Sequence, residues 1–313
     1  MLKDKIVNKK SGIFTYGLTP PKQRTEPEKV QQIADIQKAR IKNLNIDGLV
    51  LYDIDEEDTR TDKERPFPFL PTIDPVTYNS KYLQDLKTPK IIYRVVGKYS
   101  VEEMSNWIEG KEDRFSVFVG AASSEQNVKL KLSEAYSLNE KLDSRLILGG
   151  VTIPERHLQK HNEHKRIIRK TERGCKYFIS QLVYNVESAL NFLSDYYYYC
   201  QNNQLEMVPI IFSLTPCGSL KTLEFMKWLG ISIPKWMEND LQNSKNILQK
   251  SIDFLKRTYT ELSTFAVEKN IPIGFNIESI SIRKEEIEAS IDLLKDIQSD
   301  WNQKYADLKV NLE

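Results

Sequence analysis

Cysteine is scarce in this chain and its pattern excludes more than it offers. Cys175, Cys200 and Cys217 are odd in number and form no Cys-x-x-Cys pair, so neither a disulfide framework nor a thiol metal knuckle is indicated, and reduced thiols of a cytoplasmic protein are expected. Long apolar runs are missing too. None approaches the ~18 residues that span a bilayer, and the opening MLKDKIVNKK leads into no apolar segment of signal-peptide type. Excess charge of either sign is also absent: 45 Lys and Arg against 44 Asp and Glu leave a formal net charge of +1. Such a chain lacks the electrostatic footprint of a nucleic-acid or acidic-membrane binder. No linker or low-complexity tract interrupts it. A soluble, cytoplasmic globular protein is expected.

What is present is alternation. Strand-like apolar runs fall at Ile13–Leu18, Gly48–Ile54, Lys90–Val96, Phe115–Ala122, Leu146–Ile153, Tyr177–Tyr184, Met207–Leu214 and Ile273–Ile280. Helical patterns separate them: Glu28–Asn43, Val101–Trp107, Glu125–Leu142, His157–Arg173, Val186–Asn202, Leu220–Leu229, Glu238–Lys269 and Glu285–Asp307. Ser100 with Glu103 has the spacing of a capping box, and Gly174 marks a helix stop. Eight strands alternating with helices predict a (β/α)8 TIM barrel, as one domain over residues 1–313. A doubly wound open sheet is the alternative, but it rarely runs to so many strictly alternating units.

In such a barrel the chemistry lies at the C-terminal strand ends and the loops that follow. Those ends include Gly17–Lys22, Tyr52–Pro75, Ser123-Ser124, Thr152–His164, Gln181–Asn185, Ser213–Ser219 and Asn276–Ser279. The loop after the second strand is long, acidic in its first half and rich in proline and phenylalanine in its second. It reads equally as a ligand cover or as a surface excursion packed by Phe67 and Phe69. Pro154–Asn185 is the densest stretch, holding every histidine, the cationic run KRIIRK and a strand with a polar residue, Gln181, in an apolar segment. A buried amide needs partners, and a ligand can supply them. His157, His161 and His164 are spaced i, i+4, i+7, a metal-ligand spacing on a helix; a solvated face is the favoured reading, so no metal is assigned. Cys217 has no histidine paired with it in sequence and reads as packing.

Four segments resemble the methylenetetrahydrofolate reductase family, in the family's order. Leu18-Thr19-Pro20-Pro21-Lys22 looks like its Phe-Phe-Pro-Pro-Lys/Arg end of the first strand. Pro154-Glu155-Arg156-His157 resembles its Pro-Glu-x-His. Lys170–Asn185 (KTERGCKYFISQLVYN) is similar to its Lys-x-x-x-Gly-Ala-x-x-x-Ile-Thr-Gln-x-x-Phe-Asp, and Ile233-Pro234-Lys235-Trp236 to its Ile-Pro-x-Trp. The resemblance implies an FAD-dependent oxidoreductase of one-carbon metabolism and methionine biosynthesis, reducing a folate or pterin substrate with NADH or NADPH. It places cofactor contacts at Tyr52, His157, Glu163, Arg166, Arg169 and Lys170, and a substrate contact at Gln181. Fixed cations on that helix suit a pyrophosphate, which Arg grips bidentately.

Two departures qualify what the resemblance implies. The family's proton-donating glutamate falls on Gly17, and its aspartate near the flavin falls at about Ser123. Loss of an acid–base group typically slows a reaction ~10²–10⁴-fold. Asp53, Asp55 and Glu278, all at strand ends, are the candidate replacements. Three functions stay open: the flavin-dependent reductase, a folate- or flavin-binding barrel that has lost reduction and acts as a binding or partner protein, and a metal-dependent barrel using the histidines. The sequence leaves the oligomeric state open, a homo-oligomer included.

Overall fold

The structure is a computed structural model that describes residues 1–56, 65–121, 127–142 and 144–305. Ser123 lies outside the described residues, as does the acidic middle of the loop after the second strand. Strands β1 (Ile13–Leu18), β2 (Gly48–Leu51), β3 (Lys90–Val95), β4 (Gly110–Val119), β5 (Ser144–Thr152), β6 (Tyr177–Leu182), β7 (Ile210–Leu214) and β8 (Ile273–Glu278) pair in parallel. They form a closed barrel in sequence order, β8 returning to β1. The expected TIM barrel is what the chain forms, and the open sheet is excluded.

Helices cover the outside: α1 (Leu2–Val7), α2 (Pro27–Ile41), α3 (Pro75–Tyr82), α4 (Val101–Ile108), α5 (Leu132–Lys141), α6 (Glu155–Lys160) and α7 (Glu163–Glu172) in the first part. Then follow α8 (Val186–Asn202), α9 (Leu220–Trp228), α10 (Lys235–Gln242), α11 (Ile247–Glu268) and α12 (Lys284–Lys304). None of the described helices is long and apolar enough to cross a membrane. Pro27 and Pro75 start their helices at the first turn, where a missing N–H costs nothing. The capping box at Ser100 and Glu103 is present as expected.

Two expected helices are each split. His161 takes φ +46°, the left-handed region, and divides His157–Arg173 into α6 and α7. Asn246, whose side chain accepts from the Gln249 N–H, starts α11 afresh and divides Glu238–Lys269. The short α1 and α3 were not expected from periodicity.

Strand parity decides which side chains meet inside the barrel, because successive residues alternate faces. Ile13, Val50, Ile91, Tyr93, Phe115, Val117, Ile147, Tyr177, Ile179 and Ile211 fill the interior, and Leu2 and Ile6 of α1 join them from the N-terminal end. The larger apolar shell lies between strands and helices and includes Phe118, Phe178, Phe192, Phe212 and Phe275. The N-terminal end is thus plugged, and only the C-terminal end is left for polar groups.

Candidate functional site

The inward positions turn polar toward the C-terminal mouth. At the centre is Asn276 of β8, fully buried. Its Oδ1 accepts from Thr15 Oγ1 at 2.9 Å; its Nδ2 donates to Tyr52 Oη at 2.9 Å and to Ser213 Oγ at 3.2 Å. One amide therefore joins β1, β2, β7 and β8 and fixes the Tyr52 phenol. Two residues further along β8, on the same face, stands Glu278, which is buried. Burial pushes its carboxyl up to about 7, an effect that a hydrogen bond from the Tyr52 hydroxyl partly offsets. The Tyr52 ring meets Tyr93 edge-on at 4.8 Å. Burial, and then the neighbouring Glu278 carboxylate, push both phenols well above their ordinary range, so they remain donors.

The three strand-end acids are not equivalent. Asp53 is held by the Val95 N–H at 2.8 Å, the Tyr99 hydroxyl at 2.7 Å and the Lys98 ammonium, which clamp β2 to the turn after β3. Its oxygens are occupied by structure. Asp55 is also partnered. Glu278 alone combines burial, a raised carboxyl and a place on the inward face. It is also the register partner of Gly17. A Cβ at Gly17 would lie 2.8 Å from Tyr52 Cε2 and 2.9 Å from Glu278 Cβ. The missing β1 side chain is space that Tyr52 and Glu278 occupy.

The rim above this layer is cationic and aromatic. The segment after β2 is stitched to the end of β1 by the Lys22–Thr72 bridge and by Gln23 N–H to Pro71 O at 2.9 Å. It then reaches α9, where Phe67 meets Phe225 at 5.6 Å and the Arg65 guanidinium lies 4.5 Å from the Trp228 ring. The described part of this segment thus runs between the end of β1 and α9, the helix that follows β7. Burial, then the charges of Arg65 and Arg24, hold the Lys22 ammonium below its ordinary range. Two clefts of about 460 and 400 Å³ lie on the outer flanks, lined among others by Leu138 and Arg173, and by Lys256 and Asp292. Neither reaches the strand ends.

The residues predicted to meet a cofactor do not converge on one surface. Tyr52 lies in the mouth. Gln181 ends β6 there, with its amide donating to Leu229 O at 2.9 Å. Glu163 turns back onto β5, accepting from Thr152 Oγ1 at 3.2 Å and from the Ile153 N–H at 3.0 Å, and pairs with Arg166 at 3.1 Å. Lys170 donates to Val151 O at 2.5 Å, and burial lowers its pKa. Arg169 is exposed on α7. His157 is buried on the flank facing α8, with Nε2 2.9 Å from Asp195 and its ring 5.3 Å from His164. His157, His164 and Asp195, carried by α6, α7 and α8, offer ligand atoms within 4.8 Å of one another. Cys217 is buried, with its thiol pushed up to about 12 by burial, which fits packing. Tyr93, Thr15 and Asp195 were missed by sequence reasoning. Strand parity from Ile91 and Ile13 could have found the first two, whereas nothing local marks Asp195.

Similarity to known proteins agrees with this geometry. The family profile described as methylenetetrahydrofolate reductase matches residues 134–268. A solved structure of an uncharacterized protein from Clostridium thermocellum, which binds two copies of 5-methyl-5,6,7,8-tetrahydrofolic acid, shares 56% identity over 96% of this chain and 100% of its own, with a TM-score of 0.87. Dihydropteroate synthase of Xanthomonas albilineans with 4-aminobenzoic acid is far more distant, at 9% identity, 93% and 94% coverage and a TM-score of 0.43. No curated protein sequence matches. With a closed barrel, a profile match from α5 through α11 and a relative of this identity over its length, the chain belongs to the methylenetetrahydrofolate reductase family.

Proposed function

We propose that this protein binds a reduced folate of the 5-methyltetrahydrofolate class at the C-terminal mouth of the barrel. The observation that carries the proposal is the 56% identical relative, which binds two copies of that compound and is matched along its whole length. The mouth supplies chemistry suited to such a ligand. Glu278 and Gln181 are polar groups suited to a pterin's ring nitrogens and amide edge, Asn276 holds the Tyr52 phenol in place behind them, and Tyr52 and Tyr93 add aromatic surface. Lys22, Arg24 and Arg65 at the rim suit the carboxylates of a glutamyl tail.

A second reading, FAD-dependent reduction of the folate with NADH or NADPH, is supported by family membership and by the cations of α7. Its proposed contacts are divided between bonds within the protein and buried polar atoms that a ligand could meet. Lys170 donates to Val151 O, Glu163 Oε1 accepts from Thr152 and Ile153, and His157 Nε2 meets Asp195, while Glu163 Oε2, Arg166 Nε and His157 Nδ1 are buried without a hydrogen-bond partner. Titration calorimetry with 5-methyltetrahydrofolate is the test of the first reading: saturable binding is expected, lost in a Lys22→Glu, Arg65→Glu double variant. No binding by the intact protein would overturn it. Visible absorbance of the purified protein before and after FAD addition separates the two readings, a bound-flavin spectrum favouring the second.

A further inference from the structure

We infer that Glu278 is the proton donor to the bound reduced pterin, a carboxyl carried by β8 in the space that Gly17 leaves open on β1. This rests on the folate-binding reading above. Four observations place it. Glu278 is on the inward face at a C-terminal strand end, where barrel chemistry occurs. It is the register partner of Gly17, and the absent Cβ there would collide with it. Its phenolic partner Tyr52 is pinned from the other side by Asn276, so the hydroxyl has a fixed direction. Asp53, the other buried strand-end acid at the mouth, is saturated by three donors.

The step is a proton transfer without redox change. The carboxyl O–H bond of neutral Glu278 breaks and an N–H bond forms at a basic ring nitrogen of the pterin, the nitrogen lone pair supplying the electrons. The pterin becomes cationic and Glu278 a carboxylate, which accepts the Tyr52 hydroxyl. An ion pair then forms in a desolvated site, where it is stronger than in water. The carboxyl that burial raises to about 7 is about half protonated at pH 7, mostly protonated at pH 6, and able to give its proton up.

The experiment measures affinity for 5-methyltetrahydrofolate by calorimetry between pH 6 and 9, together with the near-ultraviolet spectrum of the bound pterin. In the wild type the bound pterin should show its protonated spectrum at pH 6–7, and affinity should fall up to about tenfold per pH unit above 7 as the donor ionises. Glu278→Gln should bind the neutral pterin, with affinity flat above pH 7. The swap Gly17→Glu with Glu278→Gly returns the carboxyl to β1 in the cleared space and should restore the pH dependence. Tyr52→Phe removes the hydroxyl that stabilises the carboxylate and should move the affinity loss upward in pH; it serves where Glu278→Gln does not fold. Wild-type-like spectra and pH dependence in Glu278→Gln, or in Tyr52→Phe where that variant must stand in, would overturn the inference while leaving folate binding intact. Absence of binding in the wild type would overturn the folate reading itself.

Discussion

Glu155 gives the sharpest thermodynamic test of the fold around β5 and α6. Its carboxyl is buried with no hydrogen bond to another residue. Burial raises it from 4.5 to about 8, against a pull downward from its own backbone N–H and with a smaller push from Glu163. A carboxyl raised in the folded state favours folding most where it is protonated in both states, below pH 4.5. That contribution is lost as pH rises to about 8, at about 1.4 kcal/mol per pH unit. Glu155→Gln removes the titration while keeping shape and polarity. Relative to wild type it should therefore be level within about 1 kcal/mol at pH 5, then more stable by about 3 kcal/mol at pH 7 and about 4–5 kcal/mol at pH 8.5. These are ceilings, because local opening that lets water reach the carboxylate limits the cost. Glu278 titrates from 4.5 to about 7 in both proteins and cancels in the difference. Urea denaturation at the three pH values, extrapolated linearly, measures it. A gap independent of pH, or one that closes as pH rises, would refute the assignment of a neutral buried carboxyl.

Three other outcomes are expected. Gly17→Ala should destabilise the protein by about 1–3 kcal/mol, the usual range for overpacking, since its Cβ meets Tyr52 and Glu278 below 3.0 Å; a neutral thermal melt would show that the two side chains move aside freely. Asp53→Asn should cost about 2–4 kcal/mol by leaving the Lys98 ammonium without its counter-charge, and chemical denaturation checks it, with ligand proton behaviour unchanged. Lys170→Met should lower stability by about 1–3 kcal/mol through an unsatisfied Val151 carbonyl yet leave 5-methyltetrahydrofolate affinity within about twofold; a loss of affinity beyond tenfold would place that helix in the ligand site.

The barrel was legible because each strand is an apolar run that is buried on both faces, and such runs stand out whatever their partners. Their C-terminal ends were less so. Apolar residues continue past the last ladder pair, so Tyr52–Ile54 and Val183-Tyr184 read as strand although β2 stops at Leu51 and β6 at Leu182. The break at His161 carries no glycine, and a non-glycine residue in the left-handed region has no local signature. Asn246 was not read as a cap, because helical periodicity runs on either side of it. Among site residues, Glu278 was recognisable as a strand-end acid. What distinguishes it from Asp53 is long-range: Tyr52 and Asn276 on one side, and on the other the clamp of Val95, Lys98 and Tyr99 that disposes of Asp53.

That contrast also explains how a barrel can exchange one carboxyl position for another. Inward positions of adjacent parallel strands lie side by side, so the last inward residues of β1 and β8 face nearly the same volume. A side chain can fill that volume from either strand, but not from both, since a Cβ at Gly17 would lie 2.9 Å from the Glu278 Cβ. Glycine on β1 is then the condition for glutamate on β8. Each substitution alone empties or overfills the site, and the pair restores it. A double-mutant cycle over Gly17 and Glu278 should consequently be strongly non-additive, by the 0.5–3 kcal/mol seen for residues in contact; additive effects would mean that the two positions do not share a space.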